Sequence, residues 1–207
     1  MSQFELIYAD STLLVVNKAP GMLSVPGRGP DKQDCLIHRV QAVYPDALAV
    51  HRLDMGTSGL LLMARGPEMH RALSRLFEQR QVAKRYIAVV AGELLPESGE
   101  VNLPLICDWP NRPRQMVSFE IGKPSLTRYR RLAYDAQKNY SRVELEPITG
   151  RSHQLRVHMM ALGHSILGDE LYGSATSAPR LLLHATKLSF PLPGTDDWQS
   201  FESPPDF

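Results

Sequence analysis

Five apolar residues in a row, Leu60-Leu61-Leu62-Met63-Ala64, follow the polar stretch His51-Arg52-Leu53-Asp54-Met55-Gly56-Thr57-Ser58-Gly59. A short unbroken apolar run bounded by turn residues reads as a strand. The glycine-punctuated residues before it read as a turn. The junction therefore puts a carboxylate, Asp54, and a guanidinium, Arg52, two residues apart at the mouth of a sheet. Such a carboxylate can attack a sugar carbon or accept a proton, and either role needs it ionised and aimed. An arginine nearby favours the ionised form of a carboxylate, and both Arg52 and an arginine from elsewhere in the chain are candidates. The plain alternative is a surface turn whose aspartate bonds its own backbone.

The remaining pattern predicts an α+β chain with a mixed, mainly antiparallel sheet flanked by helices and loops. Phe4–Tyr8 and Leu13–Lys18 read as strands around the turn at Asp10-Ser11-Thr12. Asp34 is placed to cap a helix running to Tyr44, which Pro45 stops. Pro67 opens an amphipathic helix carrying Met69, Leu73, Leu76 and Phe77 to about Gln79. Tyr86–Val90 is a strand, and Leu126–Tyr134 pairs with Ser141–Glu146. His153–Leu162 reads as a helix ending at Gly163. Leu181–His184 and Lys187–Phe190 make a last strand pair, and the proline-punctuated residues from 191 read as a surface tail.

At 207 residues, 43% hydrophobic and 22% charged, the chain has the composition of one globular domain with a real core. No run of about 18 apolar residues points to a spanning helix. Met1–Glu5 shows no basic start followed by an apolar stretch, so no secretory signal is expected. Cys35 and Cys107 stand far apart, which suggests neither a disulfide framework nor paired metal ligands. His153 and His158 are five apart, the wrong spacing for two ligands on one helical face, and no Walker-type phosphate loop or dinucleotide fingerprint is present. No metal or nucleotide cofactor is expected.

Net charge is only +1, yet it is polarised along the chain. Residues 65–86 carry six basic and two acidic side chains, residues 109–131 six and one, and residues 169–207 two and six. Such asymmetry can make one face attractive to phosphates, or it can belong to solvated helix and strand faces.

Two further segments carry candidate chemistry. In Lys84-Arg85-Tyr86, the Tyr86 ring is placed either to stack on a base or to fill the core. In Arg151-Ser152-His153-Gln154-Leu155-Arg156, Arg151 and Leu155 share a face if both are helical, and Arg156 is rotated about 100° from Leu155.

The nonapeptide 51–59, the Lys-x-Tyr strand start and the Arg-x-His-Gln-Leu-Arg element together resemble the RluA-type pseudouridine synthases. Those enzymes detach uracil from its ribose in RNA and rejoin it through carbon. The likeness runs from the first strands to Leu181–His184 and implies a single catalytic domain over 1–207, with 191–207 as surface tail. It implies Asp54 as the catalytic carboxylate, Tyr86 as the active-site tyrosine and Arg156 as the ionic partner of Asp54. Leu155 would line the uracil slot, Arg52 would hold or replace the flipped nucleotide, and Arg151 would support or face phosphate. Leu103–Pro113 is similar to the dual-specificity branch, which implies large-subunit rRNA and tRNA anticodon stem-loops as substrates. A ribosomal-only or tRNA-only synthase is the nearest alternative. Phe4 already seats the catalytic fold, so no S4-like RNA-binding domain is expected ahead of it. Recognition then falls to the catalytic domain, with Arg112, Arg114, Arg128 and Arg130 as expected phosphate contacts. Structured rRNA and tRNA are the expected partners, in the cytoplasm, with no membrane and no obligatory protein partner. Two rivals stay open: a non-catalytic RNA-binding module, and a carboxylate-dependent nucleosidase that releases free base.

Overall fold

A computed structural model describes residues 4–207, and Met1–Gln3, which open the expected domain, lie outside the described residues. In chain order the strands and helices are β1 (Glu5–Ala9), β2 (Leu13–Lys18), α1 (Leu36–Gln41), β3 (Ala47–Ala49), β4 (Ser58–Arg65), α2 (Gly66–Glu78), β5 (Ala83–Ala91) and β6 (Ser98–Asn102). These are followed by β7 (Leu105–Cys107), β8 (Gln115–Val117), β9 (Leu126–Asp135), β10 (Tyr140–Pro147), α3 (Gln154–Ala161), β11 (Leu183–Pro191) and β12 (Trp198–Glu202). The chain folds as two compact units, one made of the described residues up to Lys84 with His184–Asp206, the other of Arg85–Leu183 with Phe207.

The first unit is built on β4. Its residues Ser58–Ala64 are all buried, which is what the unbroken apolar run demands. One edge of β4 pairs antiparallel with β2 from Leu13↔Ala64 to Lys18↔Gly59. The other takes β3 antiparallel along Met63–Arg65 and the start of β11 in parallel at Ser58↔His184 and Gly59↔Ala185. Gly59 has φ of 111°, and a side chain there would collide with the Ala185 backbone, so the close parallel approach needs glycine. Helix α2 opens with Pro67 and buries Leu73, with Met69, Leu76 and Phe77 beside the cluster of Leu13, Val15, Leu60, Leu62 and Phe190.

In the second unit β5, β10, β9 and β6 lie in that order, antiparallel throughout. Ala88, Val90, Val143, Leu145 and Tyr129 from this sheet form one cluster with Leu155 and Met159 of α3. Strands β7 and β8 form a separate hairpin. Leu105 at its base clusters with Val157 and Tyr172, with Val117 packed alongside. Every residue of α3 from Gln154 to Met159 is buried and only its last two residues reach solvent, so its pattern reads as mixed.

Four local expectations are corrected. Asp34 does not cap α1: Cys35 holds the cap position, and the first helical amides are taken by backbone, Leu36 N–H by Leu23 and Ile37 N–H by Ser24. Asp34 bonds Arg39 instead. Arg151 lies before α3, because His153 takes a left-handed conformation (φ 54°) and the helix starts at Gln154. A shared helical face with Leu155 therefore does not exist. The last expected strand pair is one continuous strand, β11. Its partner is β12, within residues expected to be only a surface tail, joined by five residue pairs from Lys187↔Glu202 to Pro191↔Trp198. Alternation hid this strand, because none of its side chains is fully buried. The mixed, mainly antiparallel sheet with few helices is as the sequence pattern predicts.

Candidate active site

The turn carrying Asp54 is held at successive points by the first unit. Leu53 is buried (7% exposed), whereas Arg52 before it is exposed and Asp54 after it is half-buried. The Leu53 N–H donates to Ser24 Oγ at 3.0 Å, and the same hydroxyl donates back to the Leu53 carbonyl at 2.8 Å. Gly21 N–H donates to the Met55 carbonyl at 2.8 Å, and Thr57 N–H to the Asp54 carbonyl at 3.1 Å. Just before the turn, His51 stacks on Phe77 with 4.6 Å between ring centres, and its Nε2 accepts the Leu62 amide at 2.9 Å. Burial lowers the His51 pKa to about 3, helped by the Lys84 charge, so this ring is a neutral acceptor near pH 7. Just after the turn, Ser58 Oγ and His184 Nδ1 lie 2.9 Å apart.

Beneath the turn sits Lys18, one of the largest fully buried side chains, 1% exposed. Its Nζ donates to the carbonyls of Ala19 (2.9 Å), Met22 (2.8 Å) and Met55 (3.1 Å). Burial brings its pKa down from 10.5 to about 8, and the Asp54 carboxylate opposes that fall. A charged ammonium at neutral pH is thus built into the support of the Asp54 turn.

In the second unit Tyr86 begins the buried half of β5, half-buried against the cluster that contains Leu155. Both residues thus belong to one apolar cluster. Arg85 beside Tyr86 pairs with Glu146 at 3.0 Å. Arg156 is 7% exposed and forms a two-point ion pair with Asp169, Nε to Oδ2 at 2.7 Å and Nη2 to Oδ1 at 2.8 Å. Asp169 also accepts the amides of Leu171 and Tyr172. The Tyr172 ring lies 5.1 Å from the Arg156 guanidinium and 5.3 Å from that of Arg114, and its hydroxyl accepts the Gln115 amide at 2.6 Å. The β7–β8 hairpin is therefore rooted at the Arg156 cluster. Gly168, at φ 72°, brings Asp169 into place with its α-carbon against the Arg180 carbonyl, where a side chain has no room.

The other basic candidates divide. Arg112 is exposed and stacks on exposed Trp109 at 4.9 Å, and Arg151 lies apart, bonding the Pro124 carbonyl. Arg128, Arg130 and Arg131 are matched by acids on neighbouring segments: Arg128 with Glu100 at 2.7 Å, Arg130 with Glu144 at 3.2 Å, Arg131 with Glu93 at 2.8 Å and with Glu97. The basic count over residues 109–131 overstates the free positive charge, because its neutralising acids arrive across the sheet from other parts of the sequence.

Residues 12–161 match the family model described as RNA pseudouridylate synthase. Over 98% of its length the chain is 51% identical to the dual-specificity RNA pseudouridine synthase RluA of Escherichia coli strain K12, spanning 93% of that protein. The chain belongs to the RNA pseudouridylate synthase family. The protein of the same name from Pasteurella multocida strain Pm70 is 50% identical over 98% of this chain and 94% of its own. Among solved structures, human RNA pseudouridylate synthase domain containing 1 matches with a TM-score of 0.82 and 28% identity, over 100% of this chain and 85% of that one. As an RNA pseudouridine synthase the chain is an isomerase, and Lys18, Ser24, His51, Asp54, Tyr86 and Arg156 all fall within the residues matched by the family model.

Three residues of this arrangement escaped sequence reasoning. Lys18 had a signal: it keeps the alternation of Leu14 and Val16, which places a lysine on a buried phase of β2. Asp169 had a weaker one, an acid after Ile166-Leu167-Gly168 in an apolar setting. Ser24 had none, since its role depends on a backbone 29 positions away.

Proposed function

We propose that this synthase isomerises specific uridines to pseudouridine in large-subunit rRNA and in tRNA anticodon stem-loops, with Asp54, Tyr86 and Arg156 as its catalytic residues. The observation that carries the reading is the turn itself: Leu53 is anchored inward while Arg52 on one side is exposed and Asp54 on the other only half-buried. Relatives at 51% and 50% identity are named for dual specificity, which supports both RNA classes.

The chemistry follows from what the isomerisation requires. A uridine stacked in RNA hides its glycosidic bond, so the nucleotide is first flipped out. Arg52 fills the vacated space or holds the backbone. Asp54 then acts on the ribose, by attack at C1′ or by removal of the C2′ proton, and the N1–C1′ bond breaks. Uracil turns against Tyr86 and Leu155 and C5 bonds to C1′. On the first route this displaces the Asp54 carboxylate from C1′; on the second the removed proton is returned to C2′. The C5 proton then departs and N1 ends protonated. Atoms and electrons balance with no external donor. Arg112 and Arg114 on the hairpin side contact the RNA, with exposed Trp109 offering a ring to an unstacked base, and Arg151 faces phosphate. The reaction is placed in the cytoplasm, in a single catalytic domain acting on structured RNA. Among the described residues no helix is long and apolar enough to cross a membrane.

The test is a product assay on an rRNA fragment and a tRNA anticodon stem-loop, with pseudouridine mapping in a strain lacking the protein. Pseudouridine formed in both RNAs, and lost from both in the deletion strain, is the expected result. Release of free uracil assigns a nucleosidase, product in one RNA class narrows the specificity, and binding without any product leaves an RNA-binding module.

A further inference from the structure

We infer that Ser24 is a positioning residue for the reaction, clamping Leu53 so that Arg52 and Asp54 are aimed together; this rests on reading Asp54 as the catalytic carboxylate. Ser24 is 3% exposed, and its single hydroxyl serves both backbone groups of one residue, accepting from Leu53 N at 3.0 Å and donating to Leu53 O at 2.8 Å. A serine hydroxyl has one donor and two acceptor lone pairs, so it can do both at once. The geometry has a specific consequence. The Leu53 amide belongs to the peptide plane shared with Arg52, and its carbonyl to the plane shared with Asp54. Fixing both planes places the Arg52 and Asp54 α-carbons relative to each other, leaving one adjoining backbone torsion at each neighbour.

Ser24 is itself held. The Ser24 carbonyl accepts the Ile37 amide at 3.2 Å, the Leu23 carbonyl accepts the Leu36 amide at 2.8 Å, and Leu23 bridges Cys35 in parallel. The first turn of α1 therefore grips residues 23–24, and residue 24 grips the candidate catalytic turn. The clamp is separate from the Lys18 support, which reaches the turn at Met55. A displacement of about 1 Å at a reacting group can cost about 100-fold in rate without affecting binding, so a clamp of this kind shows in kcat rather than KM.

The experiment compares wild type, Ser24→Ala, Ser24→Thr and Leu73→Ala on the RNA substrate, at a temperature where all are folded. Leu73 is fully buried in the apolar cluster of the first unit and makes no hydrogen bond to Leu53, so its truncation gives the comparison for destabilisation without loss of the clamp. The expected result is a kcat drop of about 10- to 100-fold for S24A with KM within about twofold, substantial recovery in S24T, and a near-normal kcat for L73A. Hydrogen exchange gives a second readout: the Leu53 amide loses protection in S24A while the Leu62 amide, bonded to His51, keeps it. If S24A does not fold, Ser24→Cys, with its weaker donor, carries the same comparison. Wild-type kcat in S24A, an equal kcat loss in L73A, or unchanged Leu53 protection overturns the clamp. A wild-type enzyme that forms no pseudouridine defeats the functional reading instead, and amide exchange then decides the clamp on its own.

Discussion

Arg156 and Asp169 meet through two parallel charge-assisted hydrogen bonds of 2.7 and 2.8 Å, with side chains 8% and 0% exposed. Such a pair fixes a planar guanidinium in both distance and orientation. Burial pushes the Asp169 carboxyl toward a higher pKa, but the bonds from Arg156, Leu171 and Tyr172 outweigh it and hold it below 3.8. The stability this group contributes is present above its unfolded value and is lost as pH falls through the folded one.

Removing the acid leaves a buried guanidinium without this partner. Asp169→Ala is expected to lower stability by about 3–5 kcal/mol, measured by urea unfolding. Its kcat falls as well, because Arg156 loses its orientation; a variant with normal unfolding and normal turnover breaks this link.

Asp54→Asn keeps the size of the side chain and removes its ability to act as nucleophile or base. Pseudouridine formation drops by at least about 100-fold, while RNA affinity and melting temperature stay close to wild type. Product quantification and RNA-binding titration check this, and normal turnover removes Asp54 from the mechanism.

His51 has a folded pKa of about 3 against an ordinary value of 6.5. Between those values the unfolded chain binds a proton that the folded chain refuses, so stability climbs with pH through that window and is complete above it. His158 is shifted in the same direction by burial, with its bond to Leu103 opposing. Melting temperatures measured from pH 4 to 7 are expected to rise less steeply in His51→Gln than in wild type. Parallel curves show that His51 does not set this slope.

Lys18→Met fits the volume but strips the Ala19, Met22 and Met55 carbonyls of their ammonium donor. A stability loss of roughly 2–4 kcal/mol is expected, together with reduced kcat from a loosened Asp54 turn. Unfolding and turnover measured side by side give the answer, and an unaffected variant removes Lys18 from the support.

Replacing Arg112 and Arg114 with alanine is expected to weaken RNA binding and flatten its dependence on salt. Every phosphate left without its arginine lowers the logarithmic slope by about 0.7–0.9. Arg128→Ala and Arg130→Ala change the slope less, because Glu100 and Glu144 already neutralise those charges. Equal slopes for both pairs of variants contradict the distinction.

The sequence conveyed most of the regular structure wherever burial imposed a period. β2, β4, α2, β9 and β10 stand within a residue or two of the segments their apolar patterns predict. It failed at short strands such as β3 and β7 and at β12, whose stability comes from a partner rather than from their own residues. Chemistry was legible at 51–59 because consecutive residues carry it. Asp54, Arg52 and the strand behind them lie within one local stretch, so their identity survives without knowledge of the fold.

Local order along the chain thus determined the family, the α+β class and the residue types available for reaction. What only tertiary structure decided is who holds them: Ser24 on Leu53, Lys18 on Met55, His51 on Leu62 and Asp169 on Arg156. It also decided which arginines are already neutralised by acids on adjacent strands. Hydrogen bonds and ion pairs act over about 3 Å of space, and residues far apart in sequence reach that distance only when strands pair and helices pack. No periodicity in a single sequence encodes those meetings.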